Sequence, residues 1–177
     1  MIVKFLVVAD LHGRVPKIHI NEFDAIICPG DVCGDDIRPY VKEWIKATSK
    51  NIKEGKREYA NFEDFCPKWK ITYHNWLSIR KGRKVLKHLD SFNKPVFLVP
   101  GNWDHSPHQD GCGDLMTGGK RNGWNKVIKG FKNIQDIEFK SVTFRGINLI
   151  GHGSTSAPET MKKPLKKNFK ETHKDYN

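Results

Sequence analysis

The chain has 177 residues, 37% of them apolar and 29% charged, with five Trp and ten Phe. That is enough large apolar surface for one folded domain, and it argues against wholesale disorder. No run of about 18 apolar residues occurs, so no membrane-spanning helix is expected; the net charge of +11 fits either a polyanionic partner such as nucleic acid or a solvated lysine surface.

The run Ile2–Ala9 is short, rich in β-branched residues and bounded by polar ones, as a buried strand is. It passes straight into Asp10 and His12 with no small-residue cleavage site, so it reads as a strand and not a signal peptide, and a cytoplasmic location is expected. Residues 24–28 form a second such run, stopped by Pro29-Gly30. From about 37 to 90 the pattern is mostly helical. Tyr40, Val41, Trp44 and Ile45 make one apolar face, and Trp76, Leu77, Ile79, Leu86 and Leu89 suggest a second helix weakened by Gly82. With the Lys-rich stretch between them, this segment reads as a helical insertion over a sheet.

Residues 95–99 form a third strand, stopped by Pro100-Gly101, and 106–123 read as a Gly-, Asp- and Ser-rich loop. Residues 142–144 and 147–150 read as a hairpin or two adjoining strands around Arg145-Gly146. Glu159 to Asn177 is a Lys-rich helix candidate, with Leu165 and Phe169 at i, i+4. The cysteines, Cys28, Cys33, Cys66 and Cys112, form no C-x-x-C pair, so isolated reduced thiols are expected. Strands alternating with helices predict an α/β fold in one domain, 1–177, with ligands gathering at the carboxyl ends of the strands.

Metal-ligand chemistry follows each strong strand at once: Asp10-Leu11-His12-Gly13, Gly30-Asp31-Val32 and Gly101-Asn102-Trp103-Asp104-His105. Parallel strands would bring the three loops to one edge. In an extended segment residues i and i+2 share a side, so Asp10 and His12 are expected to reach one ion together. Carboxylate oxygen with imidazole nitrogen suits Mn, Fe or Zn. Asp31 has two oxygens and is placed to bridge two ions, and Asn102 offers an amide oxygen to the second.

The order D-x-H-G, G-D, G-N-x-D resembles the first three motifs of the calcineurin-like metallophosphoesterase superfamily, whose usual forms are D-x-H, G-D-x-x-x or G-D-x-x-D, and G-N-H-D/E. The resemblance implies a four-layer α/β/β/α sandwich. It implies two divalent metal ions (Mn, Fe or Zn), with Asp10 and His12 on the first, Asp31 bridging and Asn102 on the second. It implies hydrolysis of phosphate esters by a metal-bridging hydroxide, with no covalent intermediate. Asp104 matches the acidic position that orients its neighbours. The stretch Ile150 to Pro158 is similar to a glycine-rich strand-end loop of archaeal-type members, where His152 either lines the loop or approaches the metals.

The chain departs from the pattern twice. Trp103 stands where the family has a His thought to protonate the leaving group, which makes His105 the substitute candidate. The later His ligands and the G-H-x-H motif have no counterpart, and His173 is the only His after His152. The expectation is therefore a sandwich with its C-terminal part missing, completed by a second chain or else weak or inactive. A third reading is a basic nucleic-acid-binding module using Lys162, Lys163, Lys166, Lys167 and Lys170.

Overall fold

A computed structural model of the chain describes residues 2–56, 59–104 and 123–153. The apolar runs form four short strands, β1 (Phe5–Val7), β2 (Ala25–Cys28), β3 (Val96–Leu98) and β4 (Ile134–Asp136). They pair in parallel in the order β1-β2-β3-β4. Helix α1 (Arg38–Lys53), a 3-10 turn at Phe62–Asp64 and helix α2 (Lys68–Asp90) connect β2 to β3. A short helix α3 (Gly123–Ile128) precedes β4, and a hairpin of β5 (Ser141–Phe144) and β6 (Ile147–Ile150) follows it. The chain is thus mixed α/β, as the alternation of patterns predicts. None of the described helices is long and apolar enough to cross a membrane.

The pleat sorts the sheet's side chains into two cores. Ile26, Cys28, Val96 and Leu98 face Val85, Leu86 and Leu89 of α2 and Trp124 and Val127 of α3. Ala25 and Phe97 lie in the other core with Phe5, Val142, Phe144 and Leu149, so the hairpin covers that face. With both faces covered, β2 and β3 read as nearly unbroken apolar runs.

A satellite core of Ile37, Val41, Trp44, Phe62, Cys66 and Ile71 joins α1 to the first half of α2. The second half of α2 packs directly on the sheet. Gly82 allows that approach, since a Cβ there would lie 2.9 Å from Cys33 Sγ and 3.3 Å from Val127 Cγ1. The second helix expected from Trp76, Leu77, Ile79, Leu86 and Leu89 is present as α2, with Trp76 exposed on it, whereas Ile45, expected on the apolar face of α1, is exposed. In Ile45's place Thr48 completes the buried side of α1.

The hairpin is as expected. Its two-residue turn, Arg145 (φ 49) and Gly146 (φ 82), has the left-handed backbone that matches the strands' twist. Arg145 Nη1 pairs with Asp24 Oδ1 at 2.5 Å, which ties the turn to the loop entering β2. Of the loop expected over 106–123, residues 106–122 lie outside the described residues and Gly123 opens α3; the helix candidate at 159–177 also lies outside them.

Candidate metal centre

The strand ends converge because the ladder continues past them. Val8 N–H donates to Ile27 O at 3.0 Å, and Val99 N–H to Cys28 O at 3.2 Å. Beyond that point the first two loops are tied backbone to backbone: Asp10 N to Gly30 O at 3.3 Å, His12 N to Asp31 O at 2.7 Å and Gly13 N to Val32 O at 3.0 Å. Asp104, fully buried, clamps the second loop to the third. Its Oδ1 accepts from Cys33 N–H at 2.7 Å and its Oδ2 from Gly101 N–H at 2.8 Å. Asp31 Oδ1 accepts from Trp103 N–H at 2.9 Å.

These ties bring one ligand atom each from Asp10, His12 and Asp31 to within 4.8 Å of one another. The route differs from the expectation. β1 ends at Val7, and Asp10 (φ 54), His12 (φ 45) and Asp31 (φ 55) are left-handed, not extended. Among the described residues six non-glycine positions have positive φ, and half of them are these three. Such a backbone costs about 1 kcal/mol or more per residue and gathers at functional sites.

The loops also meet without slack. A Cβ on Gly101 would lie 2.3 Å from Asp31 Oδ1, and one on Gly30 2.4 Å from Gly101 N. Only glycine at both positions lets the two turns touch while Asp31 keeps its carboxylate at the surface of the cluster.

Burial pushes the Asp31 carboxyl above its ordinary range, against the Trp103 N–H that favours its ionised form. The negative charges of Asp104 and Asp10 add to the rise, and His12 opposes it. The neighbouring thiols are also suppressed by burial, Cys28 to about 12 and Cys33 well above its usual value. The ligand atoms that converge at this edge come from two carboxylates and an imidazole.

His12 sits edge-on to Trp103, ring centroids 6.4 Å apart. Its Nε2 lies 3.5 Å from Arg38 Nη2 and its Nδ1 3.8 Å from Asp35 Oδ2. Nδ1 is buried and has no hydrogen-bond partner among the described residues. Arg38 pairs with Asp35 (Nε to Oδ2, 2.9 Å) and lies over the Trp103 ring at 5.0 Å. Sequence reasoning did not single out Asp35 or Arg38. Asp35 lies just before α1 and Arg38 is its first residue, and no spacing rule connects them to His12.

Asn102 is exposed, between Gly101 and Trp103, the two residues whose backbones abut Asp31. His152, half-buried just after β6, stacks edge-on with Phe139 at 5.5 Å. The next residue, Gly153, is pressed against the end of β3, since a Cβ on it would lie 2.5 Å from Pro100 O. His105 lies outside the described residues. No protein-family model, curated protein or solved structure matches the chain.

Proposed function

We propose that the chain is a metal-dependent phosphate-ester hydrolase of the metallophosphoesterase type. The observation that carries this reading is the meeting of two carboxylates and an imidazole within 4.8 Å, each on a left-handed backbone, at the carboxyl ends of parallel strands. The donor set suits a borderline divalent cation such as Mn, Fe or Zn. The His12 Nδ1, which has no hydrogen-bond partner among the described residues, and the Asp31 carboxylate, crowded by Asp10 and Asp104, fit one as well, because a cation relieves the Asp31 charge that burial makes costly.

Asp10, His12 and Asp31 would hold one ion, and Asp31 with Asn102 a second. When bound, such ions supply Lewis-acid polarisation of a phosphoryl group and a water of lowered pKa. The chain's own residues do the positioning. The Trp103 N–H fixes the Asp31 carboxylate, and Asp104 locks the two loops that carry Asp31 and Asn102. Arg38, beside His12, offers guanidinium N–H groups to phosphoryl oxygens. His105 is the candidate proton donor to the leaving group. Two ions need more donors than these four residues give, so the reading requires others from the rest of this chain, from a second chain or from solvent. The β5–β6 hairpin would belong to the second sheet of a four-layer sandwich. Buried free Cys28, Cys33 and Cys66 suit a reducing, cytoplasmic setting.

The test is hydrolysis of p-nitrophenyl phosphate and its diester by the purified chain, with and without added Mn²⁺. Metal-stimulated turnover that falls at least about 100-fold in Asp31→Asn is expected. Equal turnover in Asp31→Asn, or turnover indifferent to chelator, would overturn the proposal.

A further inference from the structure

Helix α2 buries Val85, Leu86 and Leu89 against the sheet and turns a different stripe to solvent. Trp69, Tyr73 and Trp76, at i, i+4 and i+7, are 68%, 52% and 51% exposed. The same helical phase continues through Arg80, Lys84 and Lys87, all exposed, so rings and cations form one line about 27 Å long. Single exposed apolar residues are ordinary, but three large rings in register on one helix are not.

The cations of this line form no ion pair among the described residues. Elsewhere on α2, Lys68 pairs with Glu63, Lys81 with Asp36, and Arg83 Nη1 donates to the carbonyls of Lys126, Val127 and Lys129. Arg80, Lys84 and Lys87 pair with no carboxylate among the described residues, and Arg80 stands 4.6 Å over the Trp76 ring. The helix's only acid, Asp90, is engaged by Asn133. The stripe holds no aliphatic side chain.

Rings that offer stacking area, in line with free cations on a chain of net charge +11, complement an extended polyanion that carries flat groups between its charges. We propose that this stripe binds single-stranded nucleic acid, with bases stacking on Trp69, Tyr73 and Trp76 and phosphates held by Arg80, Lys84 and Lys87. The site is separate from the metal centre, none of whose proposed ligands lies on α2.

The experiment uses the full chain with fluorescein-labelled oligo-dT and oligo-U of about 20 nucleotides. Binding is followed by anisotropy and by quenching of Trp fluorescence, in chelator so that the metal reading plays no part. The expected result is binding to one or both strands that weakens about tenfold or more as salt rises from about 50 to 200 mM. Trp69→Ala with Trp76→Ala weakens it about tenfold or more, with circular dichroism and thermal midpoint unchanged. Arg80→Gln with Lys84→Gln shallows the salt slope, which keeps the test decisive if the ring variant misfolds. No binding at low salt, or binding untouched by both variant pairs, would overturn the proposal. So would a ring-dependent self-association or capture by phosphatidylserine vesicles in place of oligonucleotide binding.

Discussion

The tip of the β5–β6 hairpin and the junction of the three strand-end loops use the same unusual backbone for different ends. At the hairpin tip, Arg145 and Gly146 are left-handed because a two-residue turn between twisted strands demands it, and a Cβ on Gly146 would meet nothing within 4 Å. At the junction no ladder makes that demand. Asp10, His12 and Asp31 lie beyond the strands, and the glycines around them touch backbone. Strain that connectivity does not require, placed where donors converge, is what the proposed metal site would account for.

Gly101→Ala should be the sharpest way to break this contrast. Its methyl would displace the Asp31 carboxylate, so we expect a loss of more than about 3 kcal/mol in denaturant unfolding, together with loss of metal-induced stabilisation. Asp104→Ala should follow, costing about 2–3 kcal/mol by leaving the buried N–H of Cys33 and the part-buried N–H of Gly101 without their acceptor.

Asp31→Asn separates function from stability. Asn retains an oxygen for the Trp103 N–H but removes a buried charge from among other carboxylates. The metal-free protein should gain stability while losing its response to metal. The sign of the pH dependence follows. Because burial raises the Asp31 pKa, the folded chain holds this proton more tightly than the unfolded one. The metal-free wild type should therefore lose stability relative to Asp31→Asn as pH rises through the raised pKa. Stabilisation by metal should do the opposite, present at neutral pH and lost as protons compete for Asp31. Thermal unfolding of both proteins across pH 4–8 checks both trends. The smallest effect is expected at the hairpin tip, where Gly146→Ala should cost only about 1 kcal/mol and leave metal binding untouched. Equal damage from Gly146→Ala and Gly101→Ala would erase the contrast.

Much of the frame was legible because it rests on local signals. Ile26, Ile27, Phe97 and Leu98 lie in apolar runs that Pro-Gly stops, and Arg145-Gly146 announces its turn. The gathering of Asp10, His12 and Asp31 was legible from their shared place after strands, but the left-handed backbone that achieves it was not. That conformation depends on ties between loops far apart in sequence, as does the contact of Arg38 with His12. Helix α2 misled for a related reason. Apolarity grouped Trp76 with Leu86 and Leu89, whereas the helical period sets Trp76 with Trp69 and Tyr73 on the outer side. Gly82 read as a weakness, yet it is where α2 passes Cys33.

The most direct test of the account is calorimetric titration of the metal-free chain with Mn²⁺ and Zn²⁺ at neutral pH, beside Asp10→Asn and Asp31→Asn. Stoichiometric binding by the wild type, lost in both folded variants, is the predicted result. Heats that are absent from the wild type, or identical in all three proteins, would contradict it.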